Sequence, residues 1–198
     1  MIGQSPRRRE DERLLTGRGR FVDDIRLPDL LHMALVRSTH ARARLVRVDL
    51  TEARAQPGVL AFAAPDLSGL DAPLPVRGAE TTNPYVVLDT PRPQHVLARD
   101  EVRHVGEAIA VILAPDPYRA TDAAAAVAID YEPLPAVMDA ERAMQEDAPR
   151  IHAGQSNVVG RLRAVIGDVD KAFAEADVVV EESLAHGRVS SMALEPRA

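Results

Sequence analysis

Two carboxylates and an imidazole crowd the stretch EVRHVGE, in which Glu101 and Glu107 each stand three positions from His104. A carboxylate can orient an imidazole and share a proton with it, so such a trio facing a pocket could do general acid–base work. On an open sheet surface the same trio is only solvated charge. The other histidines, His32, His40, His95, His152 and His186, are scattered, and no two lie four residues apart as a metal pair on one helical face would. The glycine-rich TGRGRF at 16–21 follows no strand and lacks the lysine–serine pattern of a phosphate loop, which leaves a flexible arm. With no cysteine, this chain supplies no disulfide, thiolate zinc site, iron–sulfur cluster or cysteine nucleophile. No other nucleophile stands beside a base, so an autonomous hydrolase has no support.

Composition narrows the partners. Hydrophobic residues make up 46% of the 198, enough for a soluble core, but only 3% are aromatic and none is Trp. The core must therefore rest on Ala, Val, Leu and Ile, and platforms for stacking bases are lacking. A net charge of −6, with basic residues spread along the chain, argues against nucleic acid as a partner. Arg7, Arg8 and Arg9 are followed at once by Glu10, Asp11 and Glu12, the pattern of a solvated arm. The longest apolar runs, AIAVILA at 108–114 and AAAAVAI at 123–129, are far shorter than the roughly 18 residues of a membrane span. No apolar signal region follows the N-terminal arginines, so a cytoplasmic location is expected.

The elements that must position these groups read as follows. LLHMALVR at 30–37 and ARLVRVDL at 43–50 are strands joined by a polar link. Asp49 or Thr51 can cap a short helix over TEARAQ, stopped by Pro57 and Gly58 before a strand over VLAFAA, an α/β arrangement in miniature. Six prolines from Pro65 to Gln94, Pro65 included, predict a long irregular connection. EVRHVGEAIAVILA reads as a strand or strand pair bent at Gly106. Asp116 and Pro117 then open a helix through the alanines at 120–126, Pro at the first position costing no hydrogen bond. VAIDYEPLPAV is a strand whose two prolines suit a sheet edge. After a polar linker, Asp168 caps a short amphipathic helix over GDVDKAFAEA, and DVVVEESLAHGRVSS reads as a final strand. One helix and one strand cannot bury a core, and the chain stops directly on LEPRA, so this last segment is expected to need the rest of a domain from elsewhere.

Five stretches, in order, resemble the N-terminal part of the molybdenum-cofactor-binding large subunit of the xanthine dehydrogenase/aldehyde oxidase family, which includes bacterial carbon monoxide dehydrogenase large chains. They are REDERLLTGRGRFVDDIRLPDLLHMALVRSTHARARLVRVDL, PGVLAFAAPDL, VRHVGEAIAVILAPDPYRATDAAAAVAIDYEPLPAV, GDVDKAFAEADVVVE and HGRVSSMALEPRA. The resemblance implies an N-terminal arm at 1–19, an α/β (α+β) hammerhead domain at 20–140 with a mixed sheet and flanking helices, and a linker at 141–156. Residues 157–198 would then begin a molybdopterin-binding domain, incomplete in this chain.

It also implies a molybdenum-pterin cofactor, of the cytosine dinucleotide form, bound mainly outside this chain. An iron–sulfur small subunit with [2Fe-2S] clusters and an FAD medium subunit would be partners, together with the remainder of the large subunit. Such enzymes oxidise aldehydes, N-heterocycles or related carbon centres with water as oxygen donor, and their catalytic glutamate lies near the far end of the large subunit, so no catalytic residue is expected here. Gly187 and Arg188 fall on the molybdenum-proximal strand. Gly187 stands where many relatives place Gln, which removes a side-chain donor, and Glu195 and Arg197 match an EPR motif that fixes a turn. The expectation is a portion of a molybdenum hydroxylase large subunit that is not catalytic alone; the alternative is a free-standing hammerhead module for binding or assembly.

Overall fold

In a computed structural model of the chain, residues 2–69, 74, 86–88, 94–164, 166–187 and 189 are described. Their regular elements, in chain order, are α1 (Asp11–Leu15), β1 (His32–Arg37), β2 (Ala43–Asp49), α2 (Thr51–Arg54), β3 (Leu60–Ala63), β4 (Val86–Leu88) and β5 (Glu101–Val102). Then come β6 (Ala108–Ala114), α3 (Pro117–Ala125), β7 (Ala128–Pro133), α4 (Ala140–Ala143), β8 (Gly160–Leu162) and α5 (Val169–Ala174). The chain divides into two compact units, one of Leu31–Ala176 and one of Met1–Leu30 with Asp177–Ala198.

In the larger unit β6 is the central strand of a sheet ordered β1-β6-β3, and β2 is central in a second sheet ordered β5-β2-β7. Successive side chains of a strand point to opposite faces, which lets β6 serve two cores. Ala110, Ile112 and Ala114 pack with Leu50, Ala53, Val59, Ala61, Ala63, Ala120 and Ala123. Ile109, on the other face, packs with Ala43, Ala98 and Val102. The unbroken apolar run AIAVILA is thus explained by burial on two sides rather than by membrane insertion. Ile112 is fully buried and contributes roughly 1.5–3 kcal/mol by leaving water.

The helix α3 begins as its sequence dictates: the Asp116 carboxylate accepts the Arg119 amide hydrogen at 2.9 Å, and Pro117 occupies a position whose N–H would have no helical partner. Ala120 and Ala123, three apart on one face, are buried in the first core. Their small side chains bring the helix close to the alanines of β6. At α2 the Asp49 carboxylate accepts both the amide and the hydroxyl of Thr51, at 3.0 and 2.6 Å. Those bonds, the hydroxyl's first, hold the Asp49 carboxyl below the usual carboxylate range.

Several expectations are corrected. Strand pairing within both three-stranded sheets is antiparallel rather than mixed. The strand–helix–strand of β2, α2 and β3 is not a parallel crossover, because β2 and β3 belong to different sheets; ten residues between them are short for a crossover, which takes about a dozen. The two strands expected at 30–37 and 43–50 do form, as β1 and β2, and they belong to different sheets. The Pro65–Gln94 connection, largely outside the described residues, contains β4, which pairs antiparallel with β8.

The stretch expected as a linker holds α4, capped by Asp139 on the Arg142 amide, and a loop gathered on Asn157. The Asn157 amide donates to the carbonyls of Ala143 and Pro149 and accepts the Ile151 N–H. Arg142 and Asp147 pair beside it, and the arginine's hydrogen bond holds the Asp147 carboxyl low. The edge position expected for the proline-bearing strand is observed: among the described residues β7 pairs only with β2.

In the smaller unit the arm at 1–19 contains the short helix α1, so it is not wholly irregular, and a 3-10 turn at Val22–Asp24 follows it. The expected strand over DVVVEESLAHGRVSS is not observed at 177–187, where the chain is irregular and every residue is exposed. A strand is held by a neighbour that takes its N–H and C=O groups, and none pairs with this segment among the described residues. The helix α5 of the larger unit does form, capped by Asp168, although Phe173 on its apolar side is exposed.

Asp66 shows how acid should act on this fold. Its carboxyl accepts the Ala63 N–H at 2.8 Å and pairs with Arg54 at 2.7 Å, and these contacts, the backbone bond foremost, lower its pKa. A carboxyl that titrates lower folded than unfolded stabilises the fold above about pH 4, and that contribution is lost as pH falls through the folded value. Urea denaturation at pH 6 and at pH 3 checks this. Asp66→Asn should lower stability at pH 6 and make the drop between the two pH values smaller than in the wild type; an equal drop would contradict the assignment.

Candidate functional site

The EVRHVGE stretch folds as the end of β5, a tight turn and the start of β6. Gly106 has a φ of 86°, the left-handed region that glycine occupies without strain, and this lets the chain reverse. The turn is fastened to the end of β1: Ser38 donates its N–H to Glu107 O at 2.8 Å, Gly106 donates to Ser38 O at 2.8 Å, and Arg37 Nη1 donates to Gly106 O at 2.8 Å. Ser38 is buried, and its hydroxyl donates to His40 O at 2.9 Å while accepting the His40 N–H. His40 in turn stacks on Tyr131 with ring centroids 4.3 Å apart.

The three residues singled out in sequence divide between two roles. Glu107 Oε2 accepts the Arg103 N–H at 2.5 Å and lies 3.6 Å from His104 Nδ1, so the carboxylate and imidazole do meet. Glu101 instead accepts from Arg42 Nε at 2.6 Å, an ion pair whose side chains are only 13% (Arg42) and 21% (Glu101) exposed. Arg42 also donates to Pro135 O at 3.1 Å, joining β2, β5 and the segment after β7. Glu101 is thus a structural anchor for the second sheet, and only His104 and Glu107 line a cavity.

That cavity, of about 340 Å³, is lined by Arg37, Gln94, His95, Arg103, His104 and Glu107, with Leu74, Gly106, Ala108 and His152 completing it. Three histidines that look scattered in the sequence therefore share one wall, because antiparallel pairing and the turn bring distant segments together. No local spacing could have announced His95, His152 or Arg37. Among the described residues no group of three or more His, Asp or Glu side chains is placed to hold a metal ion. A second cavity, of about 290 Å³ beside Ala64, Pro65, Ser68, Arg99 and Asp100, carries fewer titratable groups.

Gly187 lies in the exposed irregular segment of the smaller unit, and a Cβ built on it would meet nothing within 4 Å. Its described surroundings do not form a cradle for a cofactor. Arg188, Glu195 and Arg197 lie outside the described residues.

The contrast between two ion pairs gives a stability test. Glu101→Gln leaves the largely buried Arg42 without its counter-charge and should cost about 2–4 kcal/mol in chemical denaturation. Glu132→Gln, which removes the exposed partner of Arg44, should change stability by no more than about 0.5 kcal/mol. Equal effects would contradict the anchoring role of Glu101.

Comparisons with known proteins follow this architecture. A family profile described as "Aldehyde oxidase and xanthine dehydrogenase, a/b hammerhead domain" matches residues 16–135. The chain is 41% identical over its full length to the 6-hydroxypseudooxynicotine dehydrogenase complex subunit gamma of Paenarthrobacter nicotinovorans, of which it covers 25%. It is 35% identical over 92% of its length to the nicotinate dehydrogenase large molybdopterin subunit of Eubacterium barkeri, of which it covers 40%. The structure of reconstituted CO dehydrogenase from Oligotropha carboxidovorans superimposes with a TM-score of 0.65 at 34% identity, covering 89% of this chain and 22% of that one. The chain thus spans a quarter to two-fifths of the length of these curated relatives. It belongs to the aldehyde oxidase and xanthine dehydrogenase family, whose a/b hammerhead domain it carries at residues 16–135.

Proposed function

We propose that this chain supplies the hammerhead-bearing N-terminal portion of a molybdenum hydroxylase large subunit, an oxidoreductase component that is not catalytic alone. The observation that carries this reading is the pattern of coverage: nearly all of this chain aligns, yet it accounts for only 25% of the subunit gamma relative and 40% of the large molybdopterin subunit relative. The hammerhead positions, and the rest of the large subunit binds and reacts.

In that assembly the cofactor is molybdenum-pterin, in the cytosine dinucleotide form, which supplies two-electron oxidation with water as the oxygen source. The remainder of the large subunit holds it, and electrons pass to an iron–sulfur small subunit with [2Fe-2S] clusters and then to an FAD medium subunit. Residues 157–198 open the molybdopterin-binding domain, and Gly187 and Arg188 are the positions of this chain that approach the cofactor there. Gly187, with open space around it, offers a backbone amide in place of a side-chain donor. The substrate is an aldehyde, an N-heterocycle or a CO-like carbon centre; relatives named for nicotinate and 6-hydroxypseudooxynicotine favour the heterocycle. The assembly works in the cytoplasm.

The second reading, a free-standing hammerhead module for binding or assembly, is favoured by one observation: the Leu31–Ala176 unit buries two apolar clusters of its own. Co-purification of the tagged chain from its native host, with molybdenum and iron measured in the eluate, separates the two. Recovery of both metals with further polypeptides is expected. A lone, metal-free, folded chain would favour the module, and aldehyde hydroxylation by the chain alone would overturn the primary reading.

A further inference from the structure

The sheet ordered β1-β6-β3 has one face that its own unit covers only in part. On the face toward α3, Ala34, Ile112 and Ala61 stand in one register row and pack in the first core. Successive residues of a strand alternate between faces, so Met33, Leu113 and Leu60 form a row on the opposite face, in register across all three strands, and Leu35, Val111 and Phe62 form the next. All six side chains are apolar. The second sheet covers this face where Ile109 packs with Ala43, Ala98 and Val102, but among the described residues the six belong to neither core. Leu35, Val111, Phe62 and Leu113 are half-buried, and Met33 and Leu60 are 61% and 49% exposed. Single exposed apolar residues are ordinary, whereas a contiguous patch marks a surface meant to be covered. An exposed part of the second sheet reads differently: Arg44 stands opposite Glu132 and pairs with it at 2.7 Å, as on a face that meets water.

We propose that the remainder of the large subunit docks on this face, through an apolar segment laid across Met33, Leu60 and Leu113. The inference rests on the reading of this chain as the N-terminal portion of such a subunit, and it names the surface by which that portion is held. The six side chains set the chemistry of the occupant. They offer no charge or hydrogen bond, so a polar group buried against them would go unsatisfied, and the occupant presents aliphatic or aromatic side chains. The register sets the size. Three strands about 4.8 Å apart and two rows about 7 Å apart give a face on the order of 200 Å², far short of the roughly 800 Å² that each partner buries in a stable interface. A freely diffusing second copy is therefore not held by this face alone. A segment already kept nearby needs no such area, because its effective concentration is set by what tethers it. The remainder of the large subunit meets that condition: this chain covers only 25% and 40% of two relatives, so most of a subunit of their length lies outside residues 1–198.

Methionine footprinting of the assembly purified from the native host, beside the 198-residue chain alone, reads the face. Dilute hydrogen peroxide converts an accessible methionine to its sulfoxide, which mass spectrometry follows residue by residue. Met33 should oxidise readily in the chain alone, as the exposed Met138 does, and lose that oxidation in the assembly. Equal oxidation of Met33 in the two overturns the proposal. Leu60→p-benzoylphenylalanine, at a position exposed enough to accept the larger side chain, then identifies the occupant by photo-crosslinking within the assembly. A cross-link to large-subunit sequence outside residues 1–198 is expected. A cross-link to a second copy of this chain, to an iron–sulfur or FAD subunit, or to no polypeptide overturns the assignment. Recovery of the chain without any further polypeptide would fail the underlying reading and this inference together. A complete assembly bearing molybdenum and iron in which Met33 still oxidises would fail this inference alone.

Discussion

The larger unit depends on the demand that β6 be apolar on both faces. A strand with one solvated face alternates apolar and polar residues, whereas Ala108–Ala114 does not alternate, because Ile109 faces one core while Ala110, Ile112 and Ala114 face another. Around that strand the rest is arranged in order: β1 and β3 take its two edges, α3 covers the alanine face, and the second sheet closes over Ile109.

The candidate site inherits its geometry from this strand. The turn that opens β6 is held by backbone bonds to Ser38 and by Arg37, both at the end of β1, so the register of the β1–β6 pair sets where Arg103, His104 and Glu107 stand. The polar cavity is thus a consequence of core packing, and its chemistry cannot be altered independently of the sheet beneath it.

Local signals were legible in the sequence. Asp116 with Pro117, Asp168 before Val169, the apolar run of β6 and the bend at Gly106 each announce their structure through bonds made within a few residues. What was not legible depended on distant partners. That β1 and β2 enter different sheets, that Glu101 serves Arg42 rather than His104, and that His95 and His152 meet His104 at one cavity are all decided by non-local pairing. The valines at 178–180 show the opposite failure: high strand propensity predicts a strand, but among the described residues no neighbouring strand takes its hydrogen bonds, and the segment is irregular and exposed. The resemblance to the family was visible in the order of motifs, whereas Gly187 and Arg188 were placed by resemblance alone.

A hammerhead built on one strand that is apolar on both faces, with residues 177–187 irregular and exposed, is the central physical claim. Native-state hydrogen exchange on the 198-residue chain tests it most directly, since amides open with free energies that report their share in the cooperative core. The account predicts that β6 and the inner turns of α3 exchange most slowly and that residues 177–187 exchange at the rate of an unstructured peptide. Protection of 177–187 equal to that of β6, or fast exchange of β6 in a folded chain, would contradict it.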